Sequence, residues 1–401
     1  MTWILAYGSV PHDTGTFTFY RNLRAGLRPY GWDVRCVSIG AQERRVWDPS
    51  FADEGCVLLA GDQTDRKRQA QAFVEWCDAE GVDVVMPINS VAILSAIPHL
   101  PESVRVVSRC ANAFDHGYRI TISGEDRLAK IVATTPRHIH DLTQRYGVRE
   151  DRLTLIPHGI DAAPYDDPRP PKTGEALRIA FLGRLEHNQK GVLFIPDIVE
   201  ALRTRGTRFH LTIAGEGVHR AEMEAAMNGA IQSEEVQFVG RLAPSEVPAF
   251  LAVHDVLLFP SQFEGFGFVL IEAMMAGTVP VASRLDQITD FIVEDGESGY
   301  VCPVGDVRCF SERLAALQED GTLLARLQRQ AASSARSRFS QSRMATDYAS
   351  LFGAVVSQEP HGLPPVAWSA FRVDPAFRPR WRRFVPRPLR AVARRLLRKI
   401  R

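Results

Sequence analysis

Pro260-Ser-Gln-Phe-Glu-Gly-Phe-Gly-Phe-Val-Leu-Ile-Glu-Ala-Met-Met-Ala-Gly277 follows the apolar run Val256-Leu-Leu-Phe259 and opens a helical pattern. Strand, glycine turn and helix in that order form half of a βαβ unit, which requires a parallel sheet. Gly265 and Gly267 let backbone N–H groups approach a ligand at a helix N-terminus, where the dipole favours anions or hydroxyl oxygens. Glu264 lies in the turn and Glu272 two turns later on the helix. From this segment alone two uses stay open: a pair of ligand-holding carboxylates, or a helix cap and a solvated side chain.

Outward from this turn the same grammar repeats. Leu177–Leu182 reads as a strand, Gly183-Arg184 as its turn, and a helix carrying Lys190 runs on through Leu202. Phe209–Ala214 is followed by the turn Gly215-Glu216-Gly217, and Val236–Val239 and Val279–Ala282 add further strands. Upstream, Trp3–Tyr7, Asp33–Ser38, Val82–Met86, Val104–Ser108 and Ile131–Thr134 alternate with helix-length segments, the first spanning Phe17–Tyr30. Residues 161–175 hold Pro164, Pro168, Pro170 and Pro171, the composition of a linker. The expectation is an α/β chain of two doubly wound, Rossmann-like halves, residues 1–165 and 176–335. A helix within 336–356 returns to the first half, and residues 357–401 form a Pro-rich connector with a basic tail.

A guanidinium and an ammonium at one strand-end crevice suit a diphosphate, and a carboxylate beside them suits sugar hydroxyls. Taken singly, Arg184 or Lys190 reads more readily as an exposed loop cation. Gly-Arg-Leu…Lys-Gly, Ala-Gly-Glu-Gly, Phe-Val-Gly, Leu-Leu-Phe-Pro-Ser, the E-x7-E turn and Glu-Ala-Met nevertheless follow one another in order between Arg178 and Asp306. In that order they resemble the family-4 retaining glycosyltransferases of the GT-B fold, and the likeness extends from Gly8 to about Leu351.

The resemblance implies transfer of a hexose-type sugar, with retention, from a UDP- or GDP-sugar donor. It gives Arg184 and Lys190 to the diphosphate, Glu264 and the amides of Gly265, Phe266, Gly267 and Phe268 to the transferred sugar, and Glu272 to the ribose. Gly183, Gly215 and Glu216 line the donor cleft in this reading, and the backbone from Val239 to Arg241 faces the base. In the first half Gly15 stands where paired glycines are usual. Arg109 stands where a His commonly follows the strand, and His116 comes seven residues later. Both are candidates for a catalytic role on the acceptor side, and His116 reads equally well as an exposed loop histidine. No metal or other cofactor is expected, because the cations supply the charge and no Asp-x-Asp motif accompanies the site. The alternatives are a sugar-nucleotide-binding scaffold without catalysis, or a GT-B sugar-nucleotide epimerase. A nicotinamide dehydrogenase is disfavoured, since neither Gly215-Glu-Gly217 nor Gly265-Phe-Gly267 has the third glycine.

The 401 residues are 45% hydrophobic and 24% charged, which excludes disordered and fibrous classes. Residues 372–401 hold 12 Lys or Arg against Asp374, a local charge of +11, so residues 1–371 carry −10. An acidic body does not suit nucleic acid. Pro388 opens a helical pattern with Leu389, Val392, Ala393, Leu396, Leu397 and Ile400 on one arc and arginines on the other. Residues 386–401 therefore predict docking on an anionic membrane surface, with a glycan or lipid-linked acceptor handled at the cytoplasmic leaflet. Packing of the basic tail on the acidic body is the rival reading. The six scattered cysteines and the absence of a signal-peptide pattern predict reduced thiols and a cytoplasmic protein peripherally attached to the membrane's inner face.

Overall fold

A computed structural model describes residues 2–11, 15–166, 175–359 and 363–377. In the first domain the strands are β1 (Trp3–Gly8), β2 (Trp32–Ile39), β3 (Cys56–Leu59), β4 (Val84–Pro87), β5 (Arg105–Cys110), β6 (Leu128–Ala133) and β7 (Leu153–Leu155). They pair in parallel in the order 3-2-1-4-5-6-7. The second domain has β8 (Leu177–Leu182), β9 (Phe209–Ala214), β10 (Val236–Gly240), β11 (Val256–Phe259), β12 (Val279–Ser283) and β13 (Tyr300–Cys302), parallel in the order 10-9-8-11-12-13. Each order reverses beside the domain's first strand, and the crevice beyond the strands' C-terminal ends at that point is where open α/β sheets bind ligands.

Helices cover both faces of each sheet, so central strands such as β4 and β11 are buried along their whole length and read as unbroken apolar runs. Three strands were not expected from the sequence: β3, β7 and β13. All are three or four residues long and lie at sheet edges, where strands are kept short and too few residues exist to show a period. The helix expected after Arg184 is broken into His187–Lys190, a 3₁₀ turn at Val192–Phe194, and Ile195–Thr204. Gly191 makes the break. Its φ is 63°, and a Cβ there would lie 1.9 Å from the Pro260 carbonyl oxygen, so only glycine brings this turn against the end of β11.

Helix Gly321–Arg338 packs on the second domain through Ala331 and Ala335. Ser340 then caps the next helix by accepting from the Arg343 N–H at 3.3 Å. That helix, Gln341–Ser357, buries Met344, Tyr348, Leu351, Phe352 and Val355 among Tyr7, Phe19, Leu23 and Trp32 of the first domain. A strap, residues 363–377, continues across the same domain. The Val366 carbonyl accepts from His99 Nδ1 at 2.6 Å, and the His99 ring stacks on Trp368 at 4.1 Å. The Asp374 N–H donates to Ser95 Oγ at 3.0 Å while its carboxylate accepts from the Ser123 hydroxyl. Phe377 ends the strap with its ring 5.9 Å from His116.

One expectation is corrected: Cys302 and Cys309 form a disulfide, while Cys36, Cys56, Cys77 and Cys110 are buried free thiols. The end of β13 and the first turn of helix Val307–Glu319 face each other across a tight turn, a proximity that no C-x-x-C spacing announces. Pro168, Pro170 and Pro171 of the linker and the helix expected over 388–401 lie outside the described residues.

Candidate active site

Lys190 and Glu264 form the centre of the site. The Lys190 ammonium donates to Glu264 Oε1 at 2.6 Å, and the Ser261 hydroxyl donates to the same oxygen at 2.9 Å. The carboxylate is almost wholly buried, so these partners take the place of its water. Gln189 Nε2 reaches its other oxygen at 3.5 Å, and Arg184 Nη2 in turn donates to Gln189 Oε1. Arg184, Lys190 and Glu264 are thereby linked on one face of the second domain. Gln262 fastens the two turns together, its N–H donating to the Gln189 carbonyl at 2.7 Å and its Nε2 to the His187 carbonyl at 2.6 Å.

At Gly265 the second domain meets the first. A Cβ there would lie 2.2 Å from the carbonyl oxygen of Ala111, in the loop after β5. Beside this contact is a cavity of about 480 Å³, walled on one side by Gly15, Arg109, His116 and His158 and on the other by Lys190 and the Glu264–Phe268 turn. Phe268 opens the eight-residue helix Phe268–Met275, and its ring is 3.4 Å from where a Gly15 Cβ would stand.

Arg109, at the end of β5, is 8% exposed. Its guanidinium lies 3.9 Å over the Phe19 ring, and Nη1 is 3.2 Å from His158 Nε2. The His158 ring packs on Phe266 at 4.8 Å and Phe268 at 4.5 Å. Burial first, and the Arg109 charge second, hold its pKa well below the ordinary range, so His158 is neutral. His116, on helix Asp115–Thr121, is exposed at the cavity mouth.

The remaining candidates lie beside the cavity rather than in its wall. The Gly183 N–H donates to the Ala214 carbonyl at 3.1 Å and the Gly215 N–H to the Gly240 carbonyl at 2.7 Å, which aligns the ends of β8, β9 and β10 as a shelf. Glu216 on this shelf pairs with Arg220, and Val239 and Arg241 are exposed. Glu272 stands farther along its helix, near Tyr165. Burial pushes its carboxyl up to about 7, and no donor reaches it among the described residues. Sequence reasoning missed Gln189 and Ser261, although both lie inside the segments that carry the motifs. It also missed the Arg109–His158 contact, which joins residues 49 apart. Among the described residues no three His, Cys, Asp or Glu side chains cluster to hold a metal.

Residues 176–320 match the family of group 1 glycosyl transferases. Glycogen synthase of Mycobacterium tuberculosis is 28% identical over 278 residues, 68% of this chain and 64% of that protein. A phosphatidyl-myo-inositol mannosyltransferase of Mycobacterium leprae is 31% identical over 178 residues, 44% of each. The chain thus spans less than two thirds of the length of these relatives. The structure of Anabaena HepE in complex with UDP and glucose superposes with a TM-score of 0.69 at 16% identity, covering 88% of this chain and all of that one. The two parallel-sheet domains therefore have the GT-B architecture.

Proposed function

We propose that the protein is a retaining glycosyltransferase that moves a hexose-type sugar from a nucleoside diphosphate donor, uridine or guanosine, to a glycan or lipid-linked acceptor. The observation that carries this reading is the Lys190–Glu264 pair at 2.6 Å, set between Arg184 and the glycine turn on the cavity wall. On this reading the diphosphate takes Lys190 and Arg184, while Glu264 and the turn amides accept and donate to sugar hydroxyls. Charge builds on the leaving diphosphate, and fixed cations lower the barrier most because they need no reorganisation. Those cations make a metal unnecessary. Retention rests on the resemblance of the 260–277 segment, and NMR of the anomeric configuration in the product tests it. Arg184→Ala should lower kcat at least ~10²-fold, and chelator should leave the wild-type rate unchanged. An unchanged rate in the variant, or activity lost to chelator, would sink the reading.

The same proposal places the enzyme on the cytoplasmic face of an anionic membrane, held there by residues 386–401. It is supported by the +11 charge of residues 372–401 and by the Phe377 ring, which lies 5.9 Å from that of His116 in the cavity wall.

A further inference from the structure

Among the described residues, the charged side chains in the cavity wall are Arg109, Lys190 and Glu264. Lys190 and Glu264 neutralise each other. Arg109 has no carboxylate partner among the described residues. Its neighbours are all uncharged: the Phe19 ring, the Tyr7 hydroxyl and the neutral imidazole of His158, and its Nε is buried without a hydrogen-bond acceptor among the described residues. Asp141, which acts electrostatically on His138 close by, is already engaged by the Tyr118 hydroxyl at 2.6 Å and by Arg137 at 2.9 Å. A guanidinium buried in uncharged surroundings is costly unless an anion completes it. Its fork of parallel donors matches a carboxylate in two-point contact.

The position of Arg109 narrows the source of that anion. The diphosphate has its own cations, Lys190 and Arg184, on the second domain. Arg109 approaches from the opposite wall, and the His158 ring contacts both it and Phe268, 3.2 Å on one side and 4.5 Å between rings on the other. The amides of Gly265–Phe268 are where the proposed function seats the transferred sugar. We propose that Arg109 is a specificity-determining residue that reads a carboxylate on that sugar, so that the preferred donor is a nucleoside diphosphate hexuronic acid rather than the neutral hexose. This rests on the donor reading above.

Titration calorimetry on the full chain tests it with two probe sets: UDP, UDP-glucose and UDP-glucuronate, and GDP, GDP-mannose and GDP-mannuronate. Wild type should bind the uronate at least about 30-fold more tightly than the neutral hexose of the same base. Arg109→Gln should lose that margin, as truncating one side of a buried charge pair does. The bare nucleotide should bind wild type, Arg109→Gln and Arg109→Lys within about twofold, which also certifies that the variants fold. Arg109→Lys, with charge but no fork, should recover part of the preference. Failure of both bare nucleotides to bind wild type would remove the donor reading and this inference with it. If a nucleotide binds, three results overturn the inference alone. The first is equal affinity of wild type for hexose and hexuronate. The second is unchanged uronate affinity in Arg109→Gln. The third is a parallel loss of bare-nucleotide affinity, which would assign the guanidinium to the diphosphate.

Discussion

Lys190 pairs with Glu264 within a nearly closed environment, so Lys190→Ala leaves a buried carboxylate without its ammonium partner. Loss of one partner from a buried pair costs about 3–5 kcal/mol, and the lower end applies because Ser261 and Gln189 remain as donors. Adding Glu264→Gln should restore much of that stability, a coupling that urea denaturation of the double-mutant cycle reads directly. Glu272 has the opposite character. Its folded pKa, about 7, is above the 4.5 of an ordinary Glu, so the native state keeps a proton that the unfolded chain has released. Its contribution to stability is present in full below pH 4.5 and is lost as pH rises through 7. Wild type should therefore lose stability relative to Glu272→Gln across that window. A constant difference between the two proteins would contradict the assignment. The closeness of Arg184, Lys190 and Glu264 is legible in the sequence because each sits in a turn at a strand's C-terminal end, and parallel strands bring those ends to one side. Arg109 and His158 carry no such mark. They meet because β5 and β7 flank β6, a neighbourhood that strand order decides and spacing does not.

Secondary structure follows the same division. β11 begins and ends where its apolar run does, since both its faces are buried and composition alone marks the bounds, whereas β8 and β9 also carry the half-buried Arg178 and Thr212 and the exposed His210. Short edge strands and the kink at Gly191 escape because they are fixed by what lies opposite, in that case the Pro260 carbonyl. The helix Gln341–Ser357 was legible as a helix from Met344, Tyr348, Leu351, Phe352 and Val355, which fall on one face. Its partner is helix Gly15–Leu27, where a Cβ on Gly26 would stand 2.7 Å from the Ala345 Cβ. Phe352 is fully buried against Trp32 at 5.2 Å between rings and Tyr348 at 5.5 Å. Phe352→Ala should therefore cost about 3–5 kcal/mol, measured by chemical denaturation. A loss below 1 kcal/mol would mean that this helix is not integral to the first domain.

Across the whole molecule the charge is divided, −10 on residues 1–371 and +11 beyond. Each basic residue near anionic lipid contributes on the order of 1 kcal/mol, and salt weakens the attraction. A chain ending at Val385 should keep its nucleotide affinity and lose co-sedimentation with anionic liposomes. Equal sedimentation by the full chain would return the tail to the acidic body. The return of the C-terminal helix and strap to the first domain also has a consequence for biosynthesis. Helix Gln341–Ser357 fills one face of that domain's core, and the strap seals His99 on another. Both emerge from the ribosome only after the entire second domain. Between residues 166 and 341 translation takes roughly 10–35 s at 5–20 residues per second, and for that interval the nascent first domain presents the apolar bed of a helix that does not yet exist. The first half of this chain to be made is the last to be finished, and it is there, during synthesis, that chaperones have most to cover.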